Sequence, residues 1–142
     1  MVILSVDYGD ARTGIAVCDK NEMLAYPVGV ITEKNSAALI NKISAAASEK
    51  EAELIVMGLP KNMDGSEGFR AEACRNFASQ LSEATNLEVI LRDERLTTVS
   101  AHNYLNTTNT RGKKRKQTVD AVAAVLILEE FLRYRKLSKH SL

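Results

Sequence analysis

VILSVDYGDARTGIAVC, running from Val2 to Cys18, is the stretch on which the fold turns. Val2 to Val6 is an apolar run of strand length that stops at an acid, Asp7, and Gly14 to Cys18 is a second such run. Between them Tyr8, Gly9, Asp10 and Ala11 supply turn chemistry, so the pair predicts a hairpin with an acid at the end of its first, buried strand. A third extended stretch, Leu24 to Ile31, contains Pro27, which lacks a ladder donor and belongs at a sheet edge or bulge. Together the three predict an antiparallel meander.

The pattern then changes period. From Asn35 to about Glu49, Leu39, Ile40, Ile43, Ala46 and Ala47 recur at helical spacing, with Asn35 or Ser36 as the cap. Leu54 to Met57 reads as a central strand, followed by Gly58, Leu59, Pro60 and a loop with the turn pair Asp64 and Gly65. A second helix, about Glu67 to Ala84, puts Phe69, Ala73, Phe77 and Leu81 on one stripe, and Val89 to Leu91 is a further strand. A third helix is predicted from about Thr97 to Leu105, a polar loop from Asn106 to Lys116, and a last helix from about Thr118 to Leu137, with residues 138–142 fraying. Strands alternating with helices make an α/β protein.

A chain of 142 residues suits one domain, 1–142, that buries its own core. With 45% hydrophobic and 26% charged residues the composition excludes a disordered chain and a membrane span. The apolar start is cut short by Asp7 and has no basic residues before it, so no signal peptide is expected and the expected compartment is the cytoplasm. Cys18 and Cys74 are too far apart for a metal knuckle and are read as reduced and buried. His102 and His140 receive no catalytic role.

Three acidic positions are poor choices for packing. Asp7 follows one buried strand, Asp93 and Glu94 follow another, and Asp120 lies in the first turn of an otherwise apolar helix. Ligands gather where strand ends and helix starts converge. Carboxylates brought together there repel, and a divalent cation is the natural reason to assemble them; hard oxygen donors favour magnesium or manganese, in a two-metal arrangement that hydrolyses phosphodiesters. Each acid also has a plain structural reading: a turn start at Asp7, an ion pair of Glu94 with Arg92 or Arg95, a helix N-terminus at Asp120. Strand alternation turns Asp93 and Glu94 to opposite faces, so one of the two would serve, and spacing alone leaves open which.

The cluster Arg111, Lys113, Lys114, Arg115 and Lys116 carries five positive charges without an acid, in a chain of net charge +1. Such a cluster grips phosphates without reading sequence, or else serves solubility. Arg12 and Arg95 flank proposed acids, as orienting or phosphate-binding groups or as surface ion pairs. Asn62 and Asp64 sit in the loop beyond the central strand, which suits contact with substrate.

Taken together, Asp7-Tyr8-Gly9 with Arg12, Gly14, Ala16 and Val17, then Gly58-Leu59-Pro60 with Asn62-Met63-Asp64-Gly65-Ser66, then Asp93-Glu94-Arg95-Leu96-Thr97-Thr98, and last Val119-Asp120 with Ala123-Ala124 and Ile127-Leu128, resemble the YqgF/RuvX family of pre-16S rRNA nucleases and Holliday junction resolvase-like proteins. The motifs occur in the family's order along nearly the whole chain. The resemblance implies a ribonuclease H-like fold, a mixed five-stranded sheet with the first three strands antiparallel, order 3-2-1-4-5, flanked by helices. It implies a metal-dependent nuclease acting at the 5' end of pre-16S rRNA, with Asp7, Glu94 and Asp120 as the catalytic, metal-holding acids, and it decides for Glu94 over Asp93. Branched DNA is the alternative substrate, and a non-catalytic RNA-binding ribosome-assembly factor the alternative role. A junction resolvase needs a dimer for two symmetric cuts, whereas an RNA-trimming enzyme works as a monomer or weak homodimer. The actin-like ATPases share an acid and glycines between two strands, but they close two lobes over nucleotide, and this chain has length for one.

Overall fold

The computed structural model describes residues 1–93 and 112–140, with the side chains of 112–120 and 139–140 excepted. The predicted helix at Thr97–Leu105 and most of the predicted loop after it lie outside these residues. The elements are β1 (Ile3–Asp7), β2 (Arg12–Cys18), β3 (Ala25–Thr32), α1 (Ser36–Glu49), β4 (Leu54–Leu59), α2 (Phe69–Thr85), β5 (Val89–Asp93) and α3 (Gly112–His140). The strands form one five-stranded sheet in the order β3-β2-β1-β4-β5. β1 pairs antiparallel with β2, and β2 with β3, while β4 runs parallel to both β1 and β5.

Period-two alternation gives each strand two working faces. Leu4 and Val6 of β1, Ile15 of β2, and Ile55, Met57 and Leu59 of β4 point to one side, where Leu39 and Ile43 of α1 and Phe77 and Leu81 of α2 close the core. Ile3, Ala16, Cys18, Leu54 and Val56 point to the other, under Ala124, Ile127, Leu128 and Phe131 of α3. Burial on both faces explains why β4 reads as an uninterrupted apolar run. Pro27 lies on the edge strand β3, beside a register shift between Ile15 and Ala16, as a residue without an N–H requires. Asn35 caps α1 by accepting the Ala38 N–H at 2.9 Å. Both cysteines are buried thiols, as expected.

Two expectations are corrected. The basic stretch from Lys113 to Lys116 is not loop but the opening of α3, which starts at Gly112 rather than near Thr118 and runs to His140. Lysine, arginine and glutamine are good helix formers, so a helix can open without apolar periodicity. The buried stripe of α2 is Ala71, Cys74, Phe77, Ala78 and Leu81; Phe69 is in solvent. That helix begins at Phe69, after Gly68, and at about 100° per residue Phe69 points well away from the face that Ala71, Cys74 and Ala78 bury. No helix among the described residues is long and apolar enough to cross a membrane.

The far end of α3 is tied to the β2–β3 turn. Arg135 Nε donates to Glu22 Oε1 at 2.7 Å and Nη2 to Oε2 at 3.2 Å, with both side chains largely buried. Chiefly through this hydrogen bond, the Glu22 carboxyl is held down at about 2. A carboxyl with a folded pKa below its unfolded one contributes stability that is fully present above the unfolded value near 4.5 and is lost as pH falls through about 2. Urea melts at pH 6 and pH 2.5 will therefore show wild type losing more stability on acidification than Arg135→Met; equal losses would contradict the pairing.

Candidate active site

The parallel strands end together. Val6 is level with Met57, Gly58 with Arg92, and Leu59 with Asp93, so Asp7, Gly58 and Arg92 form one row at the carboxyl edge of the sheet. Adjacent strands are about 4.8 Å apart, which separates the Asp7 and Arg92 backbones by about 10 Å. Asp7 continues the series Ile3 and Ser5 and faces the α3 side. Its cross-strand partner is Gly14, which places Arg12, two residues on, on the same face beside it. Asp93 continues Val89 and Leu91, which pack into the α1–α2 core, and so belongs to the opposite face from Asp7.

α3 lies antiparallel over β1. Ser5 Oγ, fully buried, donates to the Ala124 carbonyl at 2.7 Å. Ile127 and Leu128 then pack toward Ile3, and Arg135 reaches Glu22 beyond the strand's start. Moving the other way from Ser5, Asp7 stands about 6.7 Å up the strand. Asp120 is one turn before Ala124, about 6 Å up the helix and on nearly the same face. The two rises match, so position 120 sits across from Asp7, although 113 residues separate them in sequence. The Asp120 side chain, together with Glu94, Arg95 and Arg111, is outside what the structure describes. The backbones of Lys113, Lys114, Arg115 and Lys116 occupy the start of α3, the end nearest Asp7.

The turn that carries Asp7 is tightly built. The Gly9 N–H donates to Thr13 Oγ1 at 3.4 Å, and Thr13 is fully buried. A Cβ on Gly9 would stand 2.3 Å from the Arg12 carbonyl oxygen, so only glycine fits this close approach. Tyr8 stacks on Phe77 of α2 at 4.2 Å between ring centroids and 12° between planes. Asp7 is thereby held between a packed strand and a pinned turn. The loop beyond β4 is ordered from within: the Asn62 N–H donates to the Ser66 carbonyl at 2.8 Å and its Nδ2 to Ser66 Oγ at 3.0 Å, while Ser66 N and Oγ donate to Asp64 Oδ1 at 2.9 and 2.6 Å.

Sequence reasoning missed the clamp between β5 and α3. Arg92 donates through Nε to Glu130 at 3.1 Å and through a second nitrogen to the other carboxylate oxygen, and its guanidinium lies 4.4 Å from the Tyr134 ring centre. Glu130 raises the Arg92 pKa. The pairing of Glu94 with Arg92 or Arg95, left open on sequence, lies outside the described residues. The i, i+4 spacing of Glu130 and Tyr134 marked one helix face, but no sequence signal linked that face to Arg92. Among the described residues no three acids, cysteines or histidines converge as a metal cluster. The donor chemistry nonetheless fits a hard divalent cation, since Asp7 is a half-buried carboxylate on the face shared with position 120.

Residues 1–134 match the profile of the RuvX family, described as Holliday junction resolvase. A protein of Halothermothrix orenii named "Putative pre-16S rRNA nuclease" is 42% identical over 135 residues, spanning 95% of this chain and 96% of its own. A protein of the same name from Bacillus thuringiensis is 40% identical over 134 residues, spanning 93% and 98%. Among solved structures, Thermus thermophilus RuvC in complex with a Holliday junction substrate superposes with a TM-score of 0.62 at 10% identity over 97% of each chain. The fowlpox virus Holliday junction resolvase superposes at 0.55 and 14% identity over 94% and 99%. At these identities the structural likeness establishes the fold alone. Replacing Gly9 by alanine will cost on the order of 1–3 kcal/mol by forcing the turn apart, read as a lower urea midpoint; an unchanged midpoint would show that the turn yields freely.

Proposed function

The chain belongs to the RuvX family, a family of nucleases with the RuvC-like ribonuclease H fold, and on that premise we propose that it hydrolyses phosphodiesters of precursor 16S rRNA near the 5' end, with Asp7, Glu94 and Asp120 as its metal-holding carboxylates. The observation that carries this reading is the seating of α3 on β1 through Ser5 and Ala124, which brings position 120 level with Asp7. Glu94 enters on the family pattern, while Asp93, which continues Val89 and Leu91, belongs to the opposite face from Asp7.

Magnesium or manganese bound by these oxygens would activate a water and stabilise the leaving oxygen of an in-line displacement. The protein's own part is to hold charge still. Asp7 is fixed by the strand beneath it and the pinned turn after it, so its oxygens need little reorganisation. Arg12, on the same face, is placed to neutralise a phosphate oxygen or to orient Asp7. Lys113, Lys114, Arg115 and Lys116 open α3, where the helix dipole adds to their positive potential, and with Arg111 and Arg95 they would hold the strand by its phosphates. Asn62 and Asp64 serve the substrate side by shaping the loop beyond β4.

A second reading, cutting of a branched DNA junction, is favoured by the description of the family profile. The two are separated by cleavage assays in magnesium and in manganese on labelled precursor rRNA, single-stranded RNA and a four-way DNA junction. The account predicts metal-dependent cleavage of the precursor, reduced in Asp7→Asn by about a hundredfold or more. Preferential cutting of the junction would establish the second reading. Equal cleavage by both proteins, or RNA binding without cleavage, would overturn the catalytic assignment and leave an assembly factor.

A further inference from the structure

The sheet holds its two parallel strands beyond β1 very unequally. All six residues of β4, Leu54 to Leu59, are buried, whereas none of Val89 to Arg92 in β5 is fully buried and Asp93 is exposed. Among the described residues β5 has a strand neighbour on one side only, β4. An edge strand packed this thinly is not fixed by burial, and its end can splay. That end lies at the Asp7 row, where Arg92 is level with Gly58.

Arg92 supplies what burial does not. Its side chain crosses to α3, where Nε donates to Glu130 Oε2 at 3.1 Å, Nη2 donates to Oε1, and the guanidinium lies over the Tyr134 ring, 4.4 Å from its centre. Two bonds and a ring contact fix a planar fork in orientation as well as in distance. As stabilisation the pair is modest, since its side chains are 28% and 37% exposed. Its effect is directional. The two elements it joins are those on which two of the proposed carboxylates depend: residue 94 comes two positions after Arg92, and residue 120 lies on α3, ten before Glu130. Asp7, by contrast, is set by β1 and its pinned turn. Charge does not explain the pair, because a bare guanidinium about 10 Å along the row from Asp7 would oppose a divalent cation there. Neutralised by Glu130, it holds the strand without that penalty.

We propose that Arg92 is a positioning residue for the metal centre: through Glu130 and Tyr134 it locks the end of β5 to α3 and so sets the spacing between Glu94 and Asp120. This rests on the nuclease reading above, and it deepens that reading by adding a residue that acts through the carboxylates without touching metal or substrate.

The test is manganese binding, read from the electron paramagnetic resonance signal of the unbound ion, in wild type, Arg92→Met, Arg92→Lys, Glu94→Gln and the double variant Arg92→Met/Glu94→Gln. Arg92→Met will weaken binding about tenfold, the scale on which a group that orients a metal ligand acts. Arg92→Lys, which keeps the charge and loses the fork, will weaken it as well. Were charge alone at work, the first variant would bind manganese more tightly and the second would match wild type. In the Glu94→Gln background Arg92→Met will add no more than about twofold, because the ligand it positions is gone. A fold loosened at large would lose affinity in both backgrounds. Unchanged or tighter binding in Arg92→Met, wild-type binding in Arg92→Lys, or an equal loss in the Glu94→Gln background would overturn the proposal. Failure of the nuclease reading looks different. Wild-type manganese binding in Glu94→Gln removes that reading's carboxylate assignment, whereas weakened binding in Glu94→Gln with Arg92→Met silent removes only the positioning role.

Discussion

The seating of α3 across β1 is the constraint from which the rest of the molecule follows. One face of the sheet presents Ile3, Ala16, Leu54 and Val56 and is covered by this helix. Burying four or five such side chains supplies most of the attraction, at roughly 1.5–3 kcal/mol for each large one. Burial alone would let the helix slide by a turn. Ser5, a fully buried hydroxyl in an apolar layer, donates to the Ala124 carbonyl and so ties the strand to the helix at that level. Arg135 with Glu22 at one end and Arg92 with Glu130 at the side fix the same register. Directional contacts choose the position, and apolar contacts hold it.

That register has a chemical consequence. A strand rises about 3.3 Å per residue and a helix about 1.5 Å, so two residues of β1 match four of α3. Stepping from Ser5 to Asp7 and from Ala124 to position 120 covers the same height. The parallel pairing of β1, β4 and β5 brings the remaining strand end to that level. Three distant segments of chain thus meet at one edge, and the tight turn at Gly9 and the stack of Tyr8 on Phe77 keep the first of them still.

The fold was legible where periodicity is strong. Leu4 and Val6 against Ile3 and Ser5, and the helical recurrence of Leu39, Ile43 and Ala47, reported their elements directly, and Pro27 marked the edge of the sheet. Legibility failed where a helix opens on a polar sequence. Lys113 to Lys116 are good helix formers, and reading them as loop mistook polarity for irregularity. Phe69 was misplaced because the stripe was read at intervals of four, which drift about 40° a step on a helix of 3.6 residues per turn, so its first member falls away from the buried face of Ala71, Cys74 and Ala78. At the site, Asp7 was visible from its place after a buried strand. The clamp of Arg92 with Glu130 and Tyr134 was not, because nothing local in sequence couples residues that far apart.

The central claim is that Asp7, Glu94 and Asp120 share one divalent-metal centre at the carboxyl edge of the sheet. The most direct measurement is paramagnetic broadening of backbone amide resonances on titration with manganese. The account predicts early loss of signals from residues 7–9, 58–60 and 119–121, with those of residues 20–24 and 133–138 retained, and a right-shifted titration in Asp7→Asn. Broadening centred on another surface, or unchanged by Asp7→Asn, would contradict it.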